Sequence, residues 1–178
     1  MRWTDLHQRQ PRLGEIARDR LLGPGVLLVV TIRRDGTPRL SPVEPFELGG
    51  DLWLSMLLGS RKAADLLRDP RVLVHSVVTG PSGEEGELKL RGTAEPVDDP
   101  VAQQRYADAV SAALPWSPEV GRFHLFRVEI DQVTYLRYDN ASGDQYLALW
   151  PPGRETVRRG TSATTVGADE DVRDVLVR

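Results

Sequence analysis

Apolar positions along this chain repeat with two different periods, and the period changes wherever turn residues intervene. Leu13, Ile16, Ala17 and Leu21 fall at helical spacing, and Gly23-Pro24-Gly25 ends that run. Val26 to Ile32 is short, β-branched and bounded, the pattern of a buried strand. Asp35-Gly36 is a hairpin signal, and Arg39 to Leu48 returns as a second strand interrupted by Pro42 and Pro45. Proline cannot donate to a ladder, so at least one side of this strand should lack a backbone partner. Gly49-Gly50-Asp51 turns the chain into a third strand over Leu52 to Leu58. A short helix over 61–68 turns Ala63, Leu66 and Leu67 inward and stops at Asp69-Pro70. Val72 to Thr79 and Glu87 to Val97 read as the fourth and fifth strands, with Gly92 marking a bulge or a close approach. Asp98-Asp99-Pro100 opens a second long helix whose face is Ala102, Tyr106, Ala109, Val110 and Ala113. Phe123 to Ile130 alternates as a sixth strand, and Thr134 to Tyr138 and Gln145 to Trp150 pair across a polar turn. After Pro151 the chain becomes small and polar, then acidic, which predicts a tail that is partly disordered or draped over a partner.

These elements predict a mainly β fold of the α+β class: an antiparallel barrel with flanking helices. Residues 1–24 form an N-terminal helical arm, 25–150 the barrel domain and 151–178 the tail. At 178 residues the chain is most simply one domain, and its 40% hydrophobic and 28% charged content is that of a globular protein. A net charge of −3 gives no overall positive field to recruit nucleic acid or an anionic membrane. The absence of cysteine excludes disulfides, thiolate metal sites and a cysteine nucleophile. The longest apolar run is too short to cross a bilayer, and the start of the chain lacks the apolar centre of a signal peptide, so a cytoplasmic location is expected. Arginine so far outnumbers lysine, amid abundant Ala, Val, Gly and Asp, that a GC-rich, actinobacterial genome is the expected source.

The most specific chemistry lies in Gly59-Ser60-Arg61-Lys62-Ala63, between the third strand and the helix that follows it. Ser60 is placed to cap that helix, and Arg61 and Lys62 then stand in its first turn. The amino end of a helix already carries partial positive charge, so cations there are mildly destabilising unless an anion sits among them. Lys62 is one of only two lysines in the chain. The string is read as a phosphate cradle rather than a solvated charged face.

Other candidates are weaker. His75 and His124 lie in strands with no spacing that would hold a metal, and His7 reads as a surface residue, so no metal site is assigned. Gly80, Gly83 and Gly86 imitate a phosphate loop, but Glu84 and Glu85 would repel phosphate, and a hairpin loop is the simpler reading. No serine stands in a nucleophile-elbow string. Trp116 fits simple packing first, then interface burial, with a cap over a cofactor ring as the third reading. Trp53 fits core or dimer surface, and Trp150 an anchor for the tail. Arg91 and Arg127, on strands, are left unassigned, as are catalytic residues.

The order of elements, the Gly59–Ala63 string and the strings Asp35-Gly36-Thr37-Pro38-Arg39, Ser41-Pro42-Val43, Asp69-Pro70-Arg71-Val72 and Gly92-Thr93-Ala94-Glu95 together resemble the pyridoxamine 5′-phosphate oxidase-like superfamily of flavin-binding split β-barrels. The resemblance covers about residues 10–135 and implies a Greek-key split barrel that forms a homodimer with flavin in clefts between subunits. It implies that Ser60, Arg61 and Lys62 hold the flavin phosphate, that Ser41, Pro42 and Val43 lie along the ring and ribityl chain, and that Ser55 and Met56 approach the ribityl and phosphate. Free backbone amides on a proline-interrupted strand would tune the ring's redox potential. Where vitamin B6 oxidases carry an arginine and a lysine, the corresponding positions fall at Ser41 and near Phe46, Glu87 replaces a flavin-contacting glutamine, and the pyridoxal-phosphate-binding carboxy-terminal end is missing. The Ser-Pro-Val form is more similar to the branch that uses FMN or the deazaflavin coenzyme F(420). The implied activity is hydride transfer between that cofactor and a small, planar molecule, with a non-catalytic flavin carrier or a haem-binding split barrel as the alternatives.

Overall fold

The computed structural model describes residues 1–177. Its strands are β1 (Leu27–Ile32), β2 (Pro38–Val43), β3 (Pro45–Leu48), β4 (Asp51–Leu57), β5 (Arg71–His75), β6 (Glu87–Pro96), β7 (Phe123–Asp139), β8 (Asp144–Trp150), β9 (Arg154–Ser162) and β10 (Thr165–Asp171). The helices are α1 (Trp3–Arg9), α2 (Pro11–Leu21), α3 (Arg61–Arg68) and α4 (Pro100–Ala113), followed by a 3₁₀ turn at Val175–Val177. All of the strand pairings are antiparallel.

The second strand of the sequence reading is two strands, β2 and β3, separated at Glu44. Among the described residues, β2 pairs only with β1 and β3 only with β4. The prolines explain the switch: Pro42 and Pro45 cannot donate, so no continuous ladder can run along one side of this stretch. The circuit β1–β2/β3–β4–β7–β6–β5 then returns to β1, a barrel split at the bend. The Greek-key crossing is made by α3, which carries the chain from β4 to β5 on the far side. Alternating side chains such as Leu27, Val29, Leu52, Leu54, Val74 and Leu90 fill the interior.

Gly92 does mark a bulge. The β6–β7 register shifts there, leaving Asp131 unpaired, and a Cβ on Gly92 would stand 2.0 Å from the Glu129 carbonyl oxygen. The bulge allows β7 to run unbroken where two strands were expected. Its first part pairs with β4 and its last part with β8.

Three expectations are corrected. Residues 1–24 are more than an arm: α1 adds an unforeseen helix, and Trp3, Leu6, Leu13 and Leu21 are fully buried in the main core. His7 is not a surface residue; its ring packs at 5.0 Å on Trp3, its Nδ1 lies 3.0 Å from the Trp3 carbonyl, and Gly14 leaves room for it. The segment after Pro151 is not a loose tail. β9 and β10 extend the sheet beyond β8, and Val157 and Val175 are buried. The acidic run supplies cross-strand partners for an arginine-rich strand: Arg158 meets Asp169 at 2.6 Å and Arg154 meets Asp171 at 3.0 Å. Two long polar stretches that look solvated in isolation thus complement each other. No helix among the described residues is long and apolar enough to cross a membrane.

Candidate functional site

The cradle begins at Gly59, whose φ of 76° suits glycine and turns the chain off β4. Ser60 follows as N-cap of α3, its hydroxyl accepting the Ala63 amide at 3.5 Å. Ala63 and Leu66 bury the inner face of the helix, whereas Leu67, expected to face inward, is half exposed. A buried carboxylate fixes the helix in place. Asp65 accepts Arg39 Nε at 2.7 Å and Thr31 Oγ1 at 3.0 Å, tying α3 to β2 and β1. Burial alone would push the Asp65 carboxyl up, but the bonds from Arg39 and Thr31 outweigh it and hold it below the ordinary value.

The amino end of α3 opens into a cavity of about 690 Å³, within the usual size range of small-molecule sites. Six of the eight residues proposed from sequence line it: Pro42, Val43, Ser55, Met56, Ser60 and Lys62. Lys62 Nζ donates to the Pro42 carbonyl at 3.1 Å, bridging α3 to the bend of the split strand. Ser41 and Arg61 are outside the lining. Ser41 is half-buried on β2, and Arg61 is an exposed side chain on α3. Of the two cations expected to hold a phosphate, Lys62 lines this cavity and Arg61 does not.

The opposite wall was not foreseen. The connection from α4 to β7 contributes Trp116, Ser117, Pro118, Glu119 and Arg122, and β7 adds Phe123. Trp116 is 40% exposed, so the packing reading of this residue is overturned. Glu44 and Val26 complete the rim. Lys62 and Arg122 balance Glu44 and Glu119, so net charge does not select an anion there; only the placement of Lys62 at a helix terminus does.

Beneath the cavity, Tyr106 of α4 packs among Phe46, Trp53 and Phe123. Burial raises its phenol above the ordinary tyrosine value, with Ser55 acting in the opposite sense. Trp53 belongs to this aromatic cluster, half-buried, with its indole donating to the Leu48 carbonyl at 3.0 Å. On the α4 face, Tyr106 and Val110 are buried as expected, but Gln103 and Ala107 take the places given to Ala102 and Ala113.

None of the three histidines lines the cavity. His75 lies 3.4 Å from Glu87, and His124 lies on β7 beside Phe126. Arg127 is paired with Glu95 at 2.7 Å. The Gly80–Gly86 loop is closed by Glu85, which accepts the Thr79 amide at 2.7 Å and the Gly80 amide at 3.2 Å. No group of three or more His, Asp or Glu side chains among the described residues could hold a metal ion.

An antiparallel barrel that changes partner at one interrupted strand, with a capped helix aimed into a cleft beside the interruption, is a split β-barrel. The chain belongs to the pyridoxamine 5′-phosphate oxidase family, whose pattern matches residues 13–137. No curated protein matches it. Among solved structures it is similar to a haem-binding protein from Mycobacterium smegmatis at 25% identity and a TM-score of 0.51, over 67% of this chain and 52% of that one. This chain thus spans about half the length of that relative. A conserved hypothetical protein from Mycobacterium tuberculosis matches at 23% identity and a TM-score of 0.56, covering 67% of this chain and 80% of that one. The haem storage protein of Vibrio cholerae matches at 16% identity and a TM-score of 0.53, over 70% and 92% of the two chains. The last two show the fold alone.

Proposed function

We propose that this chain is an FMN-binding oxidoreductase that works as a homodimer on a small molecule. The observation that carries the reading is the opening of the capped α3 terminus, with Lys62 in its first turn, into a cavity walled by Pro42, Val43 and Met56. The residues suit a molecule that is anionic at one end and flat and apolar at the other. Ser60 and Lys62, with the first amides of α3, would hold the phosphate. The Lys62 ammonium has three donors and can meet a phosphate while keeping its bond to Pro42. Pro42, Val43 and Met56 offer the ring an apolar surface, and Ser55 offers a hydroxyl to the ribityl chain. A bound flavin supplies two-electron hydride transfer, and the protein supplies position and exclusion of water.

Exposed leucines support the homodimer. Leu57 lines the cavity, Leu58 follows it in the chain and Leu40 stands on β2, with exposures of 79%, 51% and 61%. An apolar surface of this kind beside a cleft fits a second copy that would close it.

Haem binding, as in the Mycobacterium smegmatis protein, or haem storage, as in the Vibrio cholerae protein, would find no histidine in the cavity lining. The test is to denature the purified protein and identify the released chromophore by mass spectrometry. FMN is the expected result. A deazaflavin would keep the site and change the cofactor, whereas haem with a Soret band would overturn the reading.

A further inference from the structure

The proposed cofactor site uses the β2, β4 and α3 side of the cavity and leaves the α4–β7 connection facing it. That connection is anchored rather than loose. Gln103, itself buried, donates its side-chain amide to the Val97 carbonyl at 3.2 Å and accepts the Gly121 amide at 3.1 Å. Ser117 donates to the Ala107 carbonyl at 3.2 Å. Pro115 and Pro118 restrict the backbone on both sides of Trp116. The result is a tryptophan held against a cavity while the residue remains 40% exposed. Six residues along the connection, Arg122 lines the same cavity. Its ionic partner among the described residues is Glu119 at 3.5 Å, and the two side chains are 70% and 78% exposed. A pair so exposed is held weakly, and an arginine fork binds a planar carboxylate through two parallel bonds.

We propose that this connection is a preformed substrate wall for planar aromatic carboxylates, with the ring stacked on Trp116 and the carboxylate exchanged for Glu119 on Arg122. The wall deepens the flavin reading, which places the reacting ring across the cavity, but its residues are distinct from those assigned to the phosphate. An aromatic ring on an indole gains from offset stacking, and the arginine supplies selection by charge.

The test uses the full-length protein as purified, titrated by calorimetry with 4-nitrobenzoate and with its neutral twin 4-nitrobenzamide. The wild type should bind the carboxylate at least tenfold more tightly. Arg122→Gln should abolish that preference and leave the affinity for the amide unchanged, and Trp116→Ala should weaken both probes several-fold. The chromophore content of each variant is measured in the same samples and should match the wild type. Equal binding of the two probes by the wild type, no binding of either, or a preference that survives Arg122→Gln would overturn the proposal. Failure of the flavin reading is seen separately, as wild-type protein that releases no flavin while the probe titrations remain readable.

Discussion

On one side of the cavity α3 is fixed by a charge: Asp65, buried, accepts bonds from Thr31 and Arg39 on two neighbouring strands. On the other side the α4–β7 connection is fixed by an uncharged amide, Gln103, which spans from Val97 to Gly121. The first anchor ties a helix directly to the barrel, and its failure leaves the part-buried Arg39 guanidinium and the buried Thr31 hydroxyl without their partner. The second ties a loop to its own flanking helix, and its failure leaves two backbone groups unpaired but the barrel intact. One wall is built to stay where it is; the other can be altered without disturbing the scaffold. In the proposed enzyme that division matches the tasks, a constant cofactor on the rigid wall and a selected substrate on the adjustable one.

The largest effect that would test this contrast is Asp65→Ala. Removing this buried carboxylate loses its bonds from Arg39 and Thr31, about 1.5–3 kcal/mol each for a charged acceptor, and urea unfolding should show a loss of that order together with weakened cofactor retention. Gln103→Ala should cost less, about 1–3 kcal/mol from two unsatisfied groups, with cofactor retention unchanged. If the two substitutions cost the same and both release the cofactor, the walls are not independent.

Acid titration sharpens the point. The folded-state carboxyl of Asp65 lies below its unfolded value, so its contribution is fully present above the ordinary carboxylate range and disappears as pH falls through the lowered folded value. Asp69, held down to about 2 chiefly by its hydrogen bond from Arg71, adds to the same acid limb. Unfolding measured from pH 5 downward should therefore be less steep in Asp65→Asn than in the wild type. Smaller again is Ser60→Ala, where the lost cap should cost about 1 kcal/mol in the same urea assay. The smallest is Arg61→Ala. This exposed side chain lies outside the cavity lining, and its removal should change FMN affinity, measured by fluorescence quenching, by less than about 0.5 kcal/mol.

The two walls also differed in how far they could be read from sequence. The α3 wall is written locally: a glycine at positive φ, a capping serine, a lysine in the first turn and an Asp-Pro stop follow one another, and the helix spans 61–68 as the spacing predicts. The break in the second strand was legible because proline's missing donor is a property of the residue itself. The α4–β7 wall depends on Gln103 meeting Gly121 eighteen residues later. A polar side chain buried for that purpose carries no sequence signature and shifted the buried face of α4 from the one read off its alanines. Prolines around Trp116 were the available hint that its backbone was restrained. β9 and β10 were missed for a related reason: charge complementarity between strands is invisible when each run is read alone. Ser41 and Arg61, expected at the site from the family resemblance, stand outside this cavity's lining, whereas their neighbours Pro42 and Lys62 are in it.

If Lys62 and the α3 terminus receive a phosphate, the most direct measurement compares FMN with riboflavin, which lacks that group. Calorimetry on apoprotein should show FMN bound at least tenfold more tightly than riboflavin, about 1.5–3 kcal/mol for a charge-assisted contact, with the preference largely erased in Lys62→Ala. Equal affinity for the two flavins in the wild type, or a preference for FMN untouched by Lys62→Ala, would contradict it.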